Sequence, residues 1–361
     1  MAAKLSAMEQ KLSEIAVSSF LAGAITMGHK LDLFKALSEV SSPENPATPE
    51  QVAERAGCKP RYIKEWLAFL TTCDIIEINE EEKFWIRPED VNALTIKSFP
   101  GLINKAAVEM LGVSDQLIEC YKKDGPLGME YAAYDGICDS IGEHSEAMHK
   151  EHLISGLLPL ISEGLVEKLE AGNMMVLDVG CGNGFHASFL AEHFPNSNFT
   201  GIDVTLSAIH SANQRRKDDG KTFDNLAFIE MNARKLDEDW ANKYDLVLIF
   251  DACHDQTRPD LCLKEIQRVL KPGGYFGMLE TAGESNIYKN KKNCGTLAAM
   301  LYAFSLFHCL PVASNAPDAI CAGSMWGRQM ACKMLNEAGF SSVEAKTTPF
   351  FPINQLYVCK K

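Results

Sequence analysis

Glycines and carboxylates at two strand ends give this sequence its first chemical signal. In VLDVGCGNGFHASFLAEHFP (176–195) an apolar strand runs into Asp178, then Gly180, Gly182 and Gly184, and a helix follows. Glycines at such a turn bend the chain tightly and let its backbone approach a ligand. The pattern is D-x-G-x-G-x-G. The third glycine of a dinucleotide motif, G-x-G-x-x-G, would fall where Phe185 stands. With no pyrophosphate to cradle, the turn suits a nucleoside cofactor with a positive or zwitterionic tail. FTGIDV (199–204) places Asp203 at the next strand end, 25 residues after Asp178 (203 − 178) and 19 after Gly184 (203 − 184). A carboxylate there accepts both hydroxyls of a ribose. FIEMNARKL (228–236) ends a third strand, with Asn232 and Ala233 where an adenine would lie. Cys181 inside the loop reads as packing, not as a nucleophile, and with Val204 and Phe250 it completes the expected cofactor-lining set.

The fourth strand runs into IFDACHDQ (249–256), where Asp251, His254 and Asp255 meet the same sheet edge. A histidine with an ordinary pKa of about 6.5 is a usable general base near neutrality. Asp251 or Asp255 is expected to orient it. Two later stretches, LFHCLP (306–311) and GSMWGR (323–328), are expected to wall a substrate site through His308, Trp326 and Arg328. A lone histidine on an apolar helix, such as His308, is more often a satisfied core residue. His144, His149 and His152 precede the core in a polar helix, and of these His149 and His152 share a face. His149 is expected at the substrate or cofactor flank. No HExxH pattern or carboxylate constellation demands a metal, so none is expected.

Elements that position these residues follow from periodicity. Apolar runs of strand length, Met174–Val179, Asn198–Asp203, Leu226–Met231, Tyr244–Phe250 and Tyr275–Leu279, alternate with helices near 186–193, 206–217 and 260–270. Alternating β and α units imply an α/β fold: a parallel sheet with helices on both faces and ligands at its carboxyl edge. Upstream, Thr48-Pro49-Glu50-Gln51 makes a capping box, and 61–72 places Ile63, Trp66, Leu67 and Leu70 on one helical face. Strands at Ile75–Ile78 and Phe84–Arg87 around an acidic turn complete a winged-helix layout, with a helix over 17–38. Residues 92–165 read as helical.

Residues 174–281 resemble the core of a class I, Rossmann-like S-adenosylmethionine-dependent methyltransferase; Lys271-Pro272-Gly273-Gly274 is a typical turn into the fifth strand of that family. The whole layout resembles two-domain small-molecule methyltransferases, with the nematode-type members nearest. The resemblance implies a seven-stranded sheet and S-adenosylmethionine as cofactor. It implies the Gly180–Gly184 loop facing the methionine part, Asp203 the ribose and Asn232-Ala233 the adenine. The expected domains are 1–95 (winged-helix-like, dimerising), 96–170 (helical linker and lid) and 171–361 (cofactor-binding, with a substrate-site insertion at 285–330).

Composition bounds the partners. The 361 residues are 46% hydrophobic and 23% charged, as in globular proteins. Lys+Arg 35 against Asp+Glu 48 leaves −13, a poor balance for nucleic acid or anionic membranes. The second helix of the winged unit offers only Arg61 and Lys64, and the wing carries Glu80, Glu81 and Glu82. Twelve cysteines without a C-x-x-C pair fit reduced thiols and a cytoplasmic location. The apolar run 15–27 lacks a basic leader. The uncharged run 295–313 contains His308 and Pro311 and is expected as a buried helix, not a membrane span. The expected activity is methyl transfer to a small molecule. S-methylation of a thiol is slightly preferred, because a thiol needs little help to ionise, no base dyad is visible and the nematode-type resemblance leans the same way. O-methylation with His254 as base is the alternative, and a cofactor-sensing DNA-binding regulator is the more remote one. A homodimer through the N-terminal unit is expected.

Overall fold

The structure, a computed structural model, describes residues 5–95, 98–134, 136–137, 139–218 and 223–361. The side chain of His144 lies outside the described residues. The chain forms two compact units, one from residues 1–112 with 136–142, the other from 113–135 with 143–361.

In the first unit, the Thr48 hydroxyl accepts from Gln51 N while Gln51 Oε1 accepts from Thr48 N at 2.8 Å, so the capping box starts helix Pro49–Ala56. Gly57, at φ +66°, ends it. Helix Pro60–Thr72 buries Ile63, Trp66, Leu67 and Leu70, the face its spacing predicted. Trp66 Nε1 donates to Ala24 O at 2.9 Å and ties the first helix to this core. The wing is two short antiparallel strands, β1 (Glu77–Ile78) and β2 (Phe84–Trp85). The helix expected over 17–38 is instead two, Ala7–Lys30 and Leu33–Val40, because Asp32 between them takes φ +53°. Six of the large apolar residues on the first of these, Met8, Leu12, Ile15, Val17, Phe20 and Met27, are exposed.

The second unit is built on β3 (Met175–Val179), β4 (Asn198–Asp203), β5 (Leu226–Glu230), β6 (Tyr244–Phe250), β7 (Leu270–Thr281), β8 (Ser342–Thr347) and β9 (Asn354–Lys360). The sheet order is β5-β4-β3-β6-β7-β9-β8. The first five strands are parallel, and β9 runs antiparallel to both β7 and β8. Strand alternation buries both faces. Val247 and Ile249 of β6 pack with helices Pro259–Val269 and Gly327–Glu337, while Leu246 and Leu248 pack with Leu153, Leu157 and Leu190 on the other side. Such two-sided burial explains why these strands read as continuous apolar runs.

The order reverses between β3 and β6, which places the ligand crevice of such a sheet at their carboxyl ends. The run 295–313 lies in the helical stretch Ile287–Ala313, which is long and apolar enough to cross a membrane. Here it packs into the second unit. Ala298, Leu301, Cys309, Val312 and Ala313 are buried, and Phe307 O accepts from the Tyr134 hydroxyl at 2.8 Å. Gly295 breaks it with φ +50°, ψ −120°, and residues Ser305–Cys309 form a π turn.

Candidate active site

The turn after β3 is wound from left-handed residues: Gly180, Gly182 and Gly184 take φ of +69°, +51° and +77°. Gly182 has the room for a ligand, since a Cβ built there meets nothing within 4 Å. Gly184 has none, since a Cβ there would sit 2.5 Å from the Phe228 ring. Cys181 is buried, and its backbone ties the loop to β4 by donating to Ile202 O at 2.9 Å.

Two carboxylates face this loop. Asp203 Oδ2 accepts from Gly182 N at 3.1 Å, and its Oδ1 accepts from Thr205 N and Oγ1 at 2.9 and 2.8 Å. The carboxylate expected to hold a ribose thus also holds the loop, with lone pairs left over, since an ionised carboxylate offers about four. Asp178 is buried and its Oδ2 finds no donor. Burial pushes its carboxyl up to about 7, against the lowering effect of the Ala187 N–H. A buried acceptor without a donor beside an open glycine turn fits a cationic ligand tail.

The rest of the predicted cofactor set divides. Val204 is half exposed at the crevice rim. Asn232 is exposed and spends its Oδ1 on Arg234 N at 2.9 Å, so its amide nitrogen is what remains for a ligand. Ala233 is buried in the core below. Phe250 stacks on His186 at 4.0 Å between ring centres and packs edge-on to His149 at 5.2 Å, so its ring is committed to an aromatic cluster. His149 belongs to the same cluster. It is buried, meets Phe351 at 4.5 Å, and burial lowers its pKa to about 4, so the expected polar flank is a packed, neutral imidazole.

Beyond β6, His254 is buried, and its Nδ1 donates to Glu280 Oε2 at 2.5 Å. Glu280, fully buried near the end of β7, also accepts from Cys253 N and His254 N at 3.0 and 3.2 Å through Oε1. The imidazole is thereby fixed in orientation and tautomer, with Nε2 turned away. Burial alone would lower the His254 pKa, but Glu280 and then Asp255 hold it well above its ordinary value.

The expected orienting role of Asp251 is thus not what the structure places: it takes φ +47° and its Oδ1 accepts from Asn354 at 2.7 Å. Asp255 stands on the other side of the ring, its Oδ1 3.3 Å from Nε2 but out of line for a hydrogen bond, its Oδ2 accepting from the Tyr131 hydroxyl at 2.9 Å. Cys309 completes the cluster: its Sγ, an Asp255 oxygen and a His254 ring nitrogen lie within 4.8 Å of one another.

His308 packs edge-on to Tyr134 at 4.5 Å, and burial lowers its pKa. Trp326 is corrected from substrate wall to core, 4% exposed and surrounded by the larger hydrophobic cluster. Arg328 is exposed and lines a cavity of about 250 Å³ with Gly283, Asn290, Leu297, Leu301 and Ile353. Sequence reading missed Glu280 and Tyr131. The only signal for Glu280 was a carboxylate near the end of the fifth core strand, in GMLET.

The fold and crevice define an α/β methyltransferase architecture, and comparison with known proteins gives the same class. Residues 170–338 match the family described as "Methyltransferase domain", and residues 19–96 match the "Rv2258c-like winged HTH domain". The chain is thus similar to methyltransferase domains over residues 170–338 and to winged HTH domains over residues 19–96, and S-adenosylmethionine is the cofactor of the former class.

A fatty-acid O-methyltransferase of Mycolicibacterium smegmatis is 39% identical over 101 residues, 28% of this chain and 35% of that protein. A phthiotriol/phenolphthiotriol dimycocerosates methyltransferase of Mycobacterium tuberculosis is 33% identical over 109 residues, 30% of this chain and 38% of its own. The chain thus spans little more than a third of the length of these two curated relatives. Among solved structures, human N-acetylserotonin methyltransferase in complex with SAM superposes with TM-score 0.59 and 17% identity over 100% of this chain and 99% of that one. An O-methyltransferase family protein from Burkholderia thailandensis gives 0.66 and 16% over 99% of both. At such identities the likeness is one of fold. Nothing among these relatives supports the nematode-type closeness that the resemblance suggested.

Proposed function

We propose that this chain is an S-adenosylmethionine-dependent methyltransferase acting on an oxygen of a small, largely apolar molecule, with His254 as general base. When bound, the cofactor supplies an electrophilic methyl group on a sulfonium. Gly182, Asp178 and Asp203 are the residues proposed to hold it: open backbone at the loop, a buried carboxyl for its cationic end and a carboxylate for its sugar. The enzyme's remaining work is to align the acceptor, exclude water and remove a proton.

The observation that carries the oxygen reading is the His254–Glu280 pair, at 2.5 Å. A hydroxyl releases its proton reluctantly, so it gains from a positioned base; a thiol, with pKa about 8.5, gains far less. The preference for thiols rested on the apparent lack of such a dyad and on the nematode-type resemblance; Glu280 speaks against the first ground, and nothing among the relatives supports the second. The mycobacterial relatives, named for fatty-acid and phthiotriol acceptors, support an apolar oxygen acceptor.

The DNA-binding alternative has weak physical support. Lys64 is paired with Glu82 at 2.6 Å and Arg61 with Glu65, so the second helix offers phosphate little free positive charge. The deciding assay offers labelled cofactor with matched alcohols, carboxylic acids, thiols and amines. Transfer to an oxygen acceptor, lost by a factor of about 10²–10⁴ in His254→Ala, is the expected result. Equal transfer by His254→Ala, or transfer to thiols alone, overturns it.

A further inference from the structure

His254, Asp255 and Cys309 come together from two distant stretches of chain, with a donor atom of each within 4.8 Å of the other two and all three residues buried. These are an imidazole nitrogen, a carboxylate oxygen and a sulfur, the ligand set that zinc and cobalt prefer and that magnesium and calcium, which take oxygen, do not.

Three further observations point to a cation. Asp255 Oδ1 is buried and faces His254 Nε2 at 3.3 Å, out of line for a hydrogen bond, although a buried carboxylate oxygen normally finds a donor. Glu280 Oε2 accepts from His254 Nδ1 at 2.5 Å, the carboxylate–histidine arrangement that stands behind metal-ligating imidazoles and points Nε2 at the metal. Tyr131 holds the other oxygen of Asp255 at 2.9 Å, a second outer partner of the same kind. Two buried carboxylates, Glu280 and Asp255, face the His254 imidazole. Cys309 ends a π turn, Ser305–Cys309, a helical irregularity common at functional sites.

We infer that His254, Asp255 and Cys309 form a binding site for one thiophilic divalent cation of the zinc class. Binding requires the Cys309 thiol to lose its proton and the His254 Nε2 to be free of one, so protons leave to solvent as the metal enters. Three protein ligands leave one position of a tetrahedron for water or another oxygen donor. The proposed base uses the same Nε2, so cation binding and proton abstraction exclude each other, and the loaded protein is an inhibited form. That consequence rests on the reading of His254 as base; the site itself does not.

The test is titration of the full chain with cobalt(II), in a Cys294→Ser/Cys321→Ser background that removes the two thiols exposed among the described residues. The expected result is one equivalent bound, with a thiolate-to-cobalt charge-transfer band in the near ultraviolet that zinc displaces. Cys309→Ser abolishes the band. Asp255→Asn keeps the band but weakens the affinity, and Glu280→Gln weakens it by roughly 10–100-fold. Circular dichroism of each variant checks its fold; should Cys309→Ser fail to fold, the two affinity changes decide. Absence of a band in the background protein, a band that survives Cys309→Ser, or unchanged affinity in both carboxylate variants overturns the site. Because these readouts need no methyl transfer, their failure leaves the base assignment standing, and loss of that assignment leaves the site standing.

Discussion

At the scale of single residues, the site is a contest between burial and charge. His254 is pulled down by burial and pushed up further by Glu280 and Asp255, so near neutrality its base form is scarce and grows as pH rises. Methyl transfer is therefore expected to climb with pH above neutrality. Glu280→Gln removes the strongest upward push and is expected to move that ascending limb to lower pH, read from kcat/KM profiles; an unmoved limb would show that Glu280 does not act through the imidazole. Asp178 is also held up, here by burial itself. Its carboxyl, raised to about 7 against an ordinary value of about 3.9, stays protonated in the free fold at mildly acidic pH. Between those two values the unfolded chain gives up its proton first, so this group makes stability fall as pH rises. A cationic ligand restores the charge, so cofactor binding near pH 6 is expected to release a proton. Calorimetry in two buffers of different ionisation enthalpy reads that release, and Asp178→Asn should abolish it. Asp178 and Asp203 were legible because each ends an apolar run beside glycines. Glu280 was not, because its partner is 26 residues away, in the turn after the neighbouring strand, and only the sheet brings them together.

At the scale of elements, the loop after β3 separates room for a ligand from room for packing. Gly184→Ala sets a Cβ against Phe228 and Ala212 at left-handed φ, so it is expected to lose about 2–5 kcal/mol of stability in denaturant titrations, overpacking and backbone strain together. Gly182→Ala has the strain without the clash. A stability loss of about 1–2 kcal/mol with a much larger loss of cofactor affinity is the expected contrast. Equal behaviour of the two variants would mean the loop does not face the cofactor. The strands β3–β6 fall within a residue of the apolar runs that predicted them, since two-sided burial leaves a continuous signal. β8 and β9 were not read at all. β8 has no fully buried residue, and its pattern, SVEAKT, is the half-exposed alternation of an edge. The break at Asp32 was equally invisible, because nothing in the apolar spacing marks a left-handed residue.

At the scale of the molecule, each unit has its own core. The exposed apolar residues of helix Ala7–Lys30 remain without a described partner, a larger display than a monomer usually carries. Self-association through that helix is expected: light scattering at micromolar concentration should give twice the chain mass, and Phe20→Glu with Ile15→Glu should return the monomer. A monomeric parent protein would sink this reading. The place of β9 has a different bearing. It lies between β7 and β8, so the edge of β7 stays open until residues 354–360 have joined it. A nascent chain that has already wound its five parallel strands on the ribosome thus still offers bare main-chain donors and acceptors to any passing strand. The sheet closes only once residues 354–360 have cleared the exit tunnel, and a stop codon shortly before them would yield an aggregation-prone product, not a shorter enzyme.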